Sequence, residues 1–438
     1  MGGYASFVTT TDSGIDRARA LDADDPLARF RERFAPTEPG LVYLDGNSLG
    51  RPTKAARERI RTIGDVWASD LVRGWDRWLD MPLRVGDLLA AGVLGARPAE
   101  VAVTDSTTVN LYRLAVAALE ARAGRRAIAI ARPEFPTDRY VVEGLARERD
   151  LEIRWLDADP VDGPTAADLE PVLDSNLASV VLSHVNYRSA AIADAPAITN
   201  LAREAGALVL WDLSHSAGSV PVELEGWGVD LAVGCTYKYL NGGPGAPAYL
   251  YVRRELQDEL RPPIQGWFAQ REQFEMGPRF ERADRIRGWL TGTPGILGLT
   301  GAQAGIEVVA EAGIAAIRAK GVALTEYAIE LFDAWLAPLG CTLGSPRDSD
   351  RRGAHVAIRH ADGRRLTSER VARGVIVDFR EPDVMRFGLS PLTTSFEEVH
   401  RGVAALAAAV RPSPAPRPDG RATRRGIGSR AARCRRPG

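Results

Sequence analysis

The chain has 438 residues, 45% of them hydrophobic and 26% charged, with 56 Lys and Arg against 57 Asp and Glu. That length allows two or three domains of roughly 100–200 residues each, and the composition is that of a globular chain with a large core. A net charge of −1 excludes any whole-chain attraction to nucleic acid or an anionic membrane, and three cysteines without a CxxC pair speak against a disulfide framework or zinc site and fit a reducing cytoplasm.

Residues 1–25 are polar with little periodicity and read as an arm leading into a helix near 25–34. Met1-Gly2-Gly3-Tyr4-Ala5-Ser6 matches the loose myristoylation pattern, which is short enough to arise by chance. A strand over 41–44 enters Asp45-Gly46-Asn47-Ser48-Leu49-Gly50-Arg51-Pro52, a loop composition that lets backbone approach a ligand. The spacing of Ile60, Ile63, Val66 and Trp67 predicts a helix over 53–71, interrupted by the Gly-led loop Gly74-Trp75-Asp76-Arg77-Trp78. Its tryptophans suit either a pocket for a flat substrate or ordinary core packing.

A strand at 101–103 runs into Thr104-Asp105-Ser106-Thr107-Thr108 and a helix to about 120. Strand, hydroxyl-rich turn and helix start together make an anion site, although capping by Ser106 or Thr107 alone produces the same pattern. Further strands are expected at 127–130, 152–156, 179–182, 207–211 and 229–234, with a helix at 195–205. The last two strands lead to Asp212 and to Thr236-Tyr237-Lys238-Tyr239, followed by Asn241-Gly242-Gly243-Pro244-Gly245. An Arg/Glu-rich segment after Trp267 suits a subunit interface. A helix pair over 296–311 and 313–336 then opens an α+β region, with strands at 355–359, 376–379 and 384–388 and helices at 367–373 and 395–410. Pro412 ends the fold. The Arg-rich stretch 412–438 has almost no large apolar residues and is expected to be disordered. The expected division is an N-terminal arm and helix at 1–70, a large domain at 71–299, a small domain at 300–411 and a tail at 412–438.

Alternation of strand and helix at roughly 25–30 residues predicts an α/β fold with a mostly parallel sheet and helices on both faces. Ligands of such sheets lie beyond the carboxyl ends of the strands. Thr107, Phe135, Asp138, Ser183, Asp212, His215 and Lys238 all fall there. A carboxylate at one strand end and a lysine past the next is a common pyridoxal phosphate layout: the lysine forms the Schiff base and the carboxylate pairs with the pyridinium nitrogen. The five histidines form no metal-ligand pair, so no metal is expected. No apolar run approaches the ~18 residues of a membrane helix, and the N-terminus lacks a basic-then-apolar leader.

DGNSLG (45–50), TTVNL (107–111), FPTD (135–138), WDLSHSAG (211–218), YKYL (237–240) and WLTGTP (289–294), in this order and spacing, resemble the kynureninase family over about residues 41–410. The resemblance implies a fold-type-I pyridoxal phosphate-dependent transferase fold, with a seven-stranded-type sheet in the large domain and a smaller α+β domain. It also implies hydrolytic cleavage of L-kynurenine to anthranilate and L-alanine, in a homodimer with composite active sites. By position, Lys238 becomes the Schiff-base lysine and Asp212 the pyridinium partner. His215 lies beside the cofactor and Phe135 stacks on its ring. Thr107, Thr108, Asp138, Ser183 and Tyr237 surround it, and Trp267 and Thr293 match contacts from the neighbouring subunit. Arg386 and Ser48 match substrate contacts, with Arg386 taking the α-carboxylate, and Tyr237 is the candidate proton donor. Animal forms that prefer 3-hydroxykynurenine carry a His in the substrate loop and an Asn further on. Here Trp75 and Thr293 stand in those places, a less polar pocket that implies kynurenine as the favoured substrate. The alternatives are another enzyme of the same fold, such as a cysteine desulfurase, or a non-catalytic homologue. The first needs a nucleophilic Cys on a mobile loop, whereas Cys341 reads as the edge of a strand; the second should have lost Lys238, Asp212 or Arg386.

Overall fold

The computed structural model describes residues 14–411. The hexapeptide at Met1 and the Arg-rich stretch 412–438 lie outside the described residues. Strands, in chain order, are β1 (Val42–Tyr43), β2 (Val101–Val103), β3 (Ala127–Ala131), β4 (Glu152–Leu156), β5 (Leu177–Ser183), β6 (Leu208–Asp212), β7 (Leu231–Gly234), β8 (Tyr249–Val252), β9 (Thr342–Leu343), β10 (His355–Arg359), β11 (Val375–Ile376), β12 (Asp378–Arg380) and β13 (Val384–Gly388).

Seven of them form the main sheet, in the order β2-β8-β7-β6-β5-β3-β4. The pairs β4–β3, β3–β5, β5–β6 and β6–β7 are parallel, and β8 runs antiparallel to both its neighbours. The continuous apolar runs explain the architecture, because alternate side chains enter different cores. On β6, Val209 and Trp211 face one core and Leu208 and Leu210 the other. Ala127, Ala129 and Ala131 on β3 oppose Ile128 and Ile130 in the same way. Each fully buried Val, Leu or Ile contributes about 1.5–3 kcal/mol, so a strand apolar on both sides is stable only between two helical layers. The helices Met81–Leu89, Ala195–Glu204 and Ile296–Ala312 cover one face; Thr107–Ala121 and Pro136–Arg149 cover the other.

A third core joins β1, β10 and β13 to the helices Ile314–Leu331 and Phe396–Val410. Its four-stranded sheet has the order β12-β13-β10-β9, and β1 pairs in parallel with β11. The last helix begins with a reciprocal capping box between Ser395 and Glu398.

Three expectations need correction. Residues 14–23 are helical rather than a structureless arm. Ala18 is buried in the third core, and Asp22 accepts the backbone N–H groups of Phe396 (3.0 Å) and Glu397 (2.9 Å). That contact to a distant helix start holds the segment down. The Gly74–Trp78 stretch is also helical: a 3₁₀ turn over Leu71–Gly74 continues into Trp75–Trp78. A Cβ on Gly74 would lie 2.5 Å from the Trp78 ring, so glycine here makes room for a side chain. Finally, the stretch 376–379 is not one strand. It divides between β11 and β12, which belong to different sheets. Among the described residues no helix is long and apolar enough to cross a membrane, and no His/Cys/Asp/Glu group could hold a metal ion.

Candidate active site

The carboxyl ends of the parallel strands converge on a cavity of about 160 Å³ lined by Thr107, Thr108, Phe135, Asp138, Asp212, Tyr237 and Lys238, with Ser106, Thr137, Ser214, Ala246 and Ala248 completing it. A larger cavity of about 660 Å³, around Trp227 and Arg318, holds none of the residues nominated from sequence.

Each wall follows from local structure. Ser106 caps the helix Thr107–Ala121: its Oγ accepts from Val109 N (3.4 Å), and its carbonyl accepts from Asn110 N (2.9 Å). The Thr107 and Thr108 N–H groups, first in the helix, have no intrahelical acceptor by position and stand at the cavity. Asp212 closes β6, where Ser183 of β5 is its direct register partner. The Ser214 N–H donates to its Oδ1 at 2.7 Å.

Lys238 lies in a tight turn after β7. The Asn241 N–H donates to the Lys238 carbonyl (2.9 Å) and the Gly242 N–H to that of Thr236 (2.8 Å). The DGNSLG loop packs on this turn. Gly50 N donates to the Tyr237 carbonyl at 2.8 Å, and a Cβ on Gly50 would lie 2.2 Å from the Lys238 carbonyl oxygen. That approach requires glycine. The Lys238 amine sits 5.7 Å from the centre of the Phe135 ring and 5.9 Å from that of Tyr237.

The electrostatics are dominated by buried carboxyls. Asp138 is fully buried and both its oxygens lack a hydrogen-bond donor. Burial, with the charges of Asp212 and Glu134, holds its carboxyl well above the usual range. Glu134 was not singled out from sequence. It too is buried, and it accepts from the Ser183 N–H (3.0 Å) and the Ser183 hydroxyl. Burial pushes it up to about 7, against the pull of those hydrogen bonds. Ser183 is therefore turned toward Glu134.

His215 is buried with Nδ1 unpartnered, and burial, with Lys238 and Arg386 nearby, pushes it well below its ordinary value. Its ring lies 5.7 Å from that of His355. Cys235 beside Tyr237, together with burial, pushes the phenol up, so Tyr237 keeps its proton.

Arg386 on β13 is 1% exposed and is held by Asp378, Ser48 and the Tyr187 carbonyl. Of the nominated residues, Ser48, Trp75, Ser183, His215, Trp267, Thr293 and Arg386 do not line the Lys238 cavity within one chain. Trp75 packs edge-on against Trp78. Trp267 is 42% exposed, and Thr293 lines a separate cavity of about 470 Å³ with Asp105 and Gly245. Cys235 and Cys341 are buried, and burial pushes both thiols up, so neither is placed as a loop nucleophile.

The fold is shared with solved structures of low sequence identity. A cysteine desulfurase from Thermococcus onnurineus NA1 superposes with a TM-score of 0.75 at 18% identity, covering 87% of this chain and 98% of that one. The lyase C-DES, captured with glycine covalently linked to its PLP cofactor, gives 0.76 at 18% identity over 86% and 98%. The fold is that of the fold-type-I pyridoxal phosphate-dependent enzymes. Kynureninase from Pseudomonas fluorescens is 43% identical over 394 residues, 88% of this chain and 93% of that protein, and that of Burkholderia pseudomallei strain 1106a is 43% identical over 89% and 94%. The family model for the kynureninase C-terminal domain matches residues 317–406. The chain belongs to the kynureninase family.

Proposed function

We propose that the cavity around Lys238 is the seat of the family's reaction, hydrolysis of L-kynurenine at Cβ–Cγ to anthranilate and L-alanine. The observation that carries this reading is the convergence of Lys238, Asp212, Asp138 and the open start of the helix Thr107–Ala121 on one buried pocket. The residues fit pyridoxal phosphate. Unpaired N–H groups at a helix start suit a phosphate. Asp212 is a buried carboxyl at the cavity, and a buried carboxylate suits a protonated ring nitrogen as its partner. Bound there, pyridoxal phosphate supplies an electron sink conjugated to the substrate Cα.

Lys238 would hold the cofactor, and its amine is the base for the Cα proton. Asp212 keeps the ring nitrogen protonated, Phe135 covers the ring, and Thr107 and Thr108 bind the phosphate. Ser183 and Asp138 orient the carboxylate side of the pocket, and His215 stays neutral beside it. Water adds to the γ-carbonyl; the Cβ–Cγ bond then breaks, leaving Cγ as the anthranilate carboxyl, while Tyr237 donates its proton to Cβ and takes back the one that carboxyl releases. Arg386, with Ser48, binds the α-carboxylate: a guanidinium matches a carboxylate with two parallel N–H···O bonds, which a lysine does not.

The active site is composite in a homodimer. Exposed Trp267 packs edge-on against exposed Phe274 at 5.8 Å, an apolar patch that favours a covered face from which Trp267 and Thr293 reach a neighbour's pocket. Trp75 and Thr293 make the substrate end less polar and favour kynurenine over 3-hydroxykynurenine. Unpaired Cys235 and Cys341 fit a cytoplasmic location. The test is anthranilate fluorescence on adding kynurenine, with kcat/KM compared for the 3-hydroxy compound. A folded, cofactor-loaded protein that releases no anthranilate sinks the reading, and a higher kcat/KM for the 3-hydroxy substrate sinks the preference.

A further inference from the structure

Arg386 is buried in a polar cluster of its own. Asp378 on β12 is its direct register partner across the β12–β13 pair. Arg386 gives its Nε–H to Asp378 Oδ1 at 2.7 Å, and an Nη2 N–H to Oδ2. The Ser48 hydroxyl donates to the same Oδ2 (2.9 Å), while Ser48 Oγ accepts from Nη2 at 3.1 Å. The Tyr187 carbonyl accepts from Nη1 at 2.5 Å. Arg380 adds an ion pair to Asp378 Oδ2 at 2.7 Å.

A guanidinium offers two edges that fit a carboxylate: the side-on edge of Nε and Nη2, and the end-on edge of Nη1 and Nη2. Asp378 fills the first from within the sheet. On the second edge Nη1 donates to the Tyr187 carbonyl and Nη2 to Ser48 Oγ, neutral partners that a substrate carboxylate would replace. A long arginine side chain has substantial rotamer freedom, and a buried guanidinium without a counter-charge is strongly disfavoured. Both problems are met by one residue on the adjacent strand.

We infer that Asp378 is a positioning residue for substrate recognition: by occupying the Nε/Nη2 edge of Arg386 it presents the Nη1/Nη2 edge to the α-carboxylate of the amino-acid substrate. This rests on the reading of Arg386 as the carboxylate ligand. Burial raises the Asp378 carboxyl, but the hydrogen bond and charge of Arg386 and the charge of Arg380 outweigh it, so Asp378 stays ionised at any working pH. Asp45, in reach of the same charges, is the other carboxyl facing this cluster.

The experiment uses holoenzyme of wild type, Asp378→Asn, Asp378→Glu and Arg386→Gln. It measures kcat and KM for kynurenine and for its decarboxylated analogue, and inhibition by L-alanine. Loss of a charge-assisted pair corresponds to about a 10–100-fold weakening. For Asp378→Asn that loss is expected in KM for kynurenine and in L-alanine inhibition, with kcat and the decarboxylated analogue changed less than about threefold. Asp378→Glu is expected to recover part of it. Equal losses on both substrates make Asp378 merely structural, and tighter L-alanine binding makes it a competitor; either overturns the inference. If Arg386→Gln leaves L-alanine inhibition unchanged, the carboxylate-ligand reading itself falls. If Arg386→Gln weakens it and Asp378→Asn does not, only the positioning role falls. Should the Asp378 variants not fold, a crystal structure of wild-type holoenzyme with L-alanine decides. The alanine carboxylate on the Nη1/Nη2 edge with Asp378 in place supports the inference, and a carboxylate on the Nε edge overturns it.

Discussion

Replacing Glu134 by Gln should make the protein's stability less sensitive to alkaline pH, by an amount that the structure sets. Glu134 has an ordinary value of 4.5 in the unfolded chain and is pushed up to about 7 by burial in the fold. A carboxyl raised on folding contributes stability that is fully present below 4.5 and lost as pH rises through 7. The full difference is roughly 3 kcal/mol, at about 1.4 kcal/mol for each tenfold change in proton affinity. Most of the loss, about 2.5 kcal/mol, falls between pH 5 and pH 8. Gln keeps the volume and an acceptor for the Ser183 N–H but does not titrate. The assay is urea unfolding of cofactor-free wild type and Glu134→Gln at both pH values, followed by tryptophan fluorescence. The unfolding free energy of the variant relative to wild type should rise by about 2.5 kcal/mol from pH 5 to pH 8. A difference that does not change with pH refutes the reasoning, because it means that Glu134 titrates normally and is not held in a dry carboxyl cluster.

Tyr237→Phe should lower kcat by about 10²–10⁴-fold with KM changed only a few-fold, the loss expected for a proton donor, and unchanged circular dichroism would separate this from misfolding. Asp45 is raised to about 6 by burial and by Asp378, so a negative charge forms beside Arg386 as pH climbs through 6. KM for kynurenine should therefore rise between pH 5.5 and 7.5, and Asp45→Asn should flatten that rise in steady-state assays. Trp267→Asp with Phe274→Asp should shift sedimentation from dimer to monomer and lower activity in proportion; a dimer that persists excludes this face as the interface.

Much of the fold was legible because its strands are short apolar runs between turn signals, and because a doubly covered sheet needs such runs. Asp212 and Lys238 were legible for a chemical reason: a carboxylate and a lysine at adjacent strand ends make an unusual pair. Glu134 was not, since an acidic residue in a turn reads as solvated and only packing against Ser183 buries it. Asp378 was hidden similarly. Eight positions separate it from Arg386, and only the β12–β13 register sets them opposite each other. The helix at 14–23 escaped notice because its anchor, Asp22 on the start of the last helix, is a contact across more than three hundred positions. Residues 376–379 read as one strand because Ile376, Val377 and Phe379 favour extended backbone, while the two sheets they join differ. Trp75, Trp267 and Thr293 lie outside the Lys238 cavity of this chain.

The central claim is that kynurenine is hydrolysed at the pocket built around Lys238. Its most direct test is anthranilate release from kynurenine by wild type and by Lys238→Ala, both loaded with pyridoxal phosphate and shown to be folded. Wild type should give steady anthranilate fluorescence, and the variant a loss of about 10²–10⁴-fold or more. Comparable rates from the two proteins would contradict it.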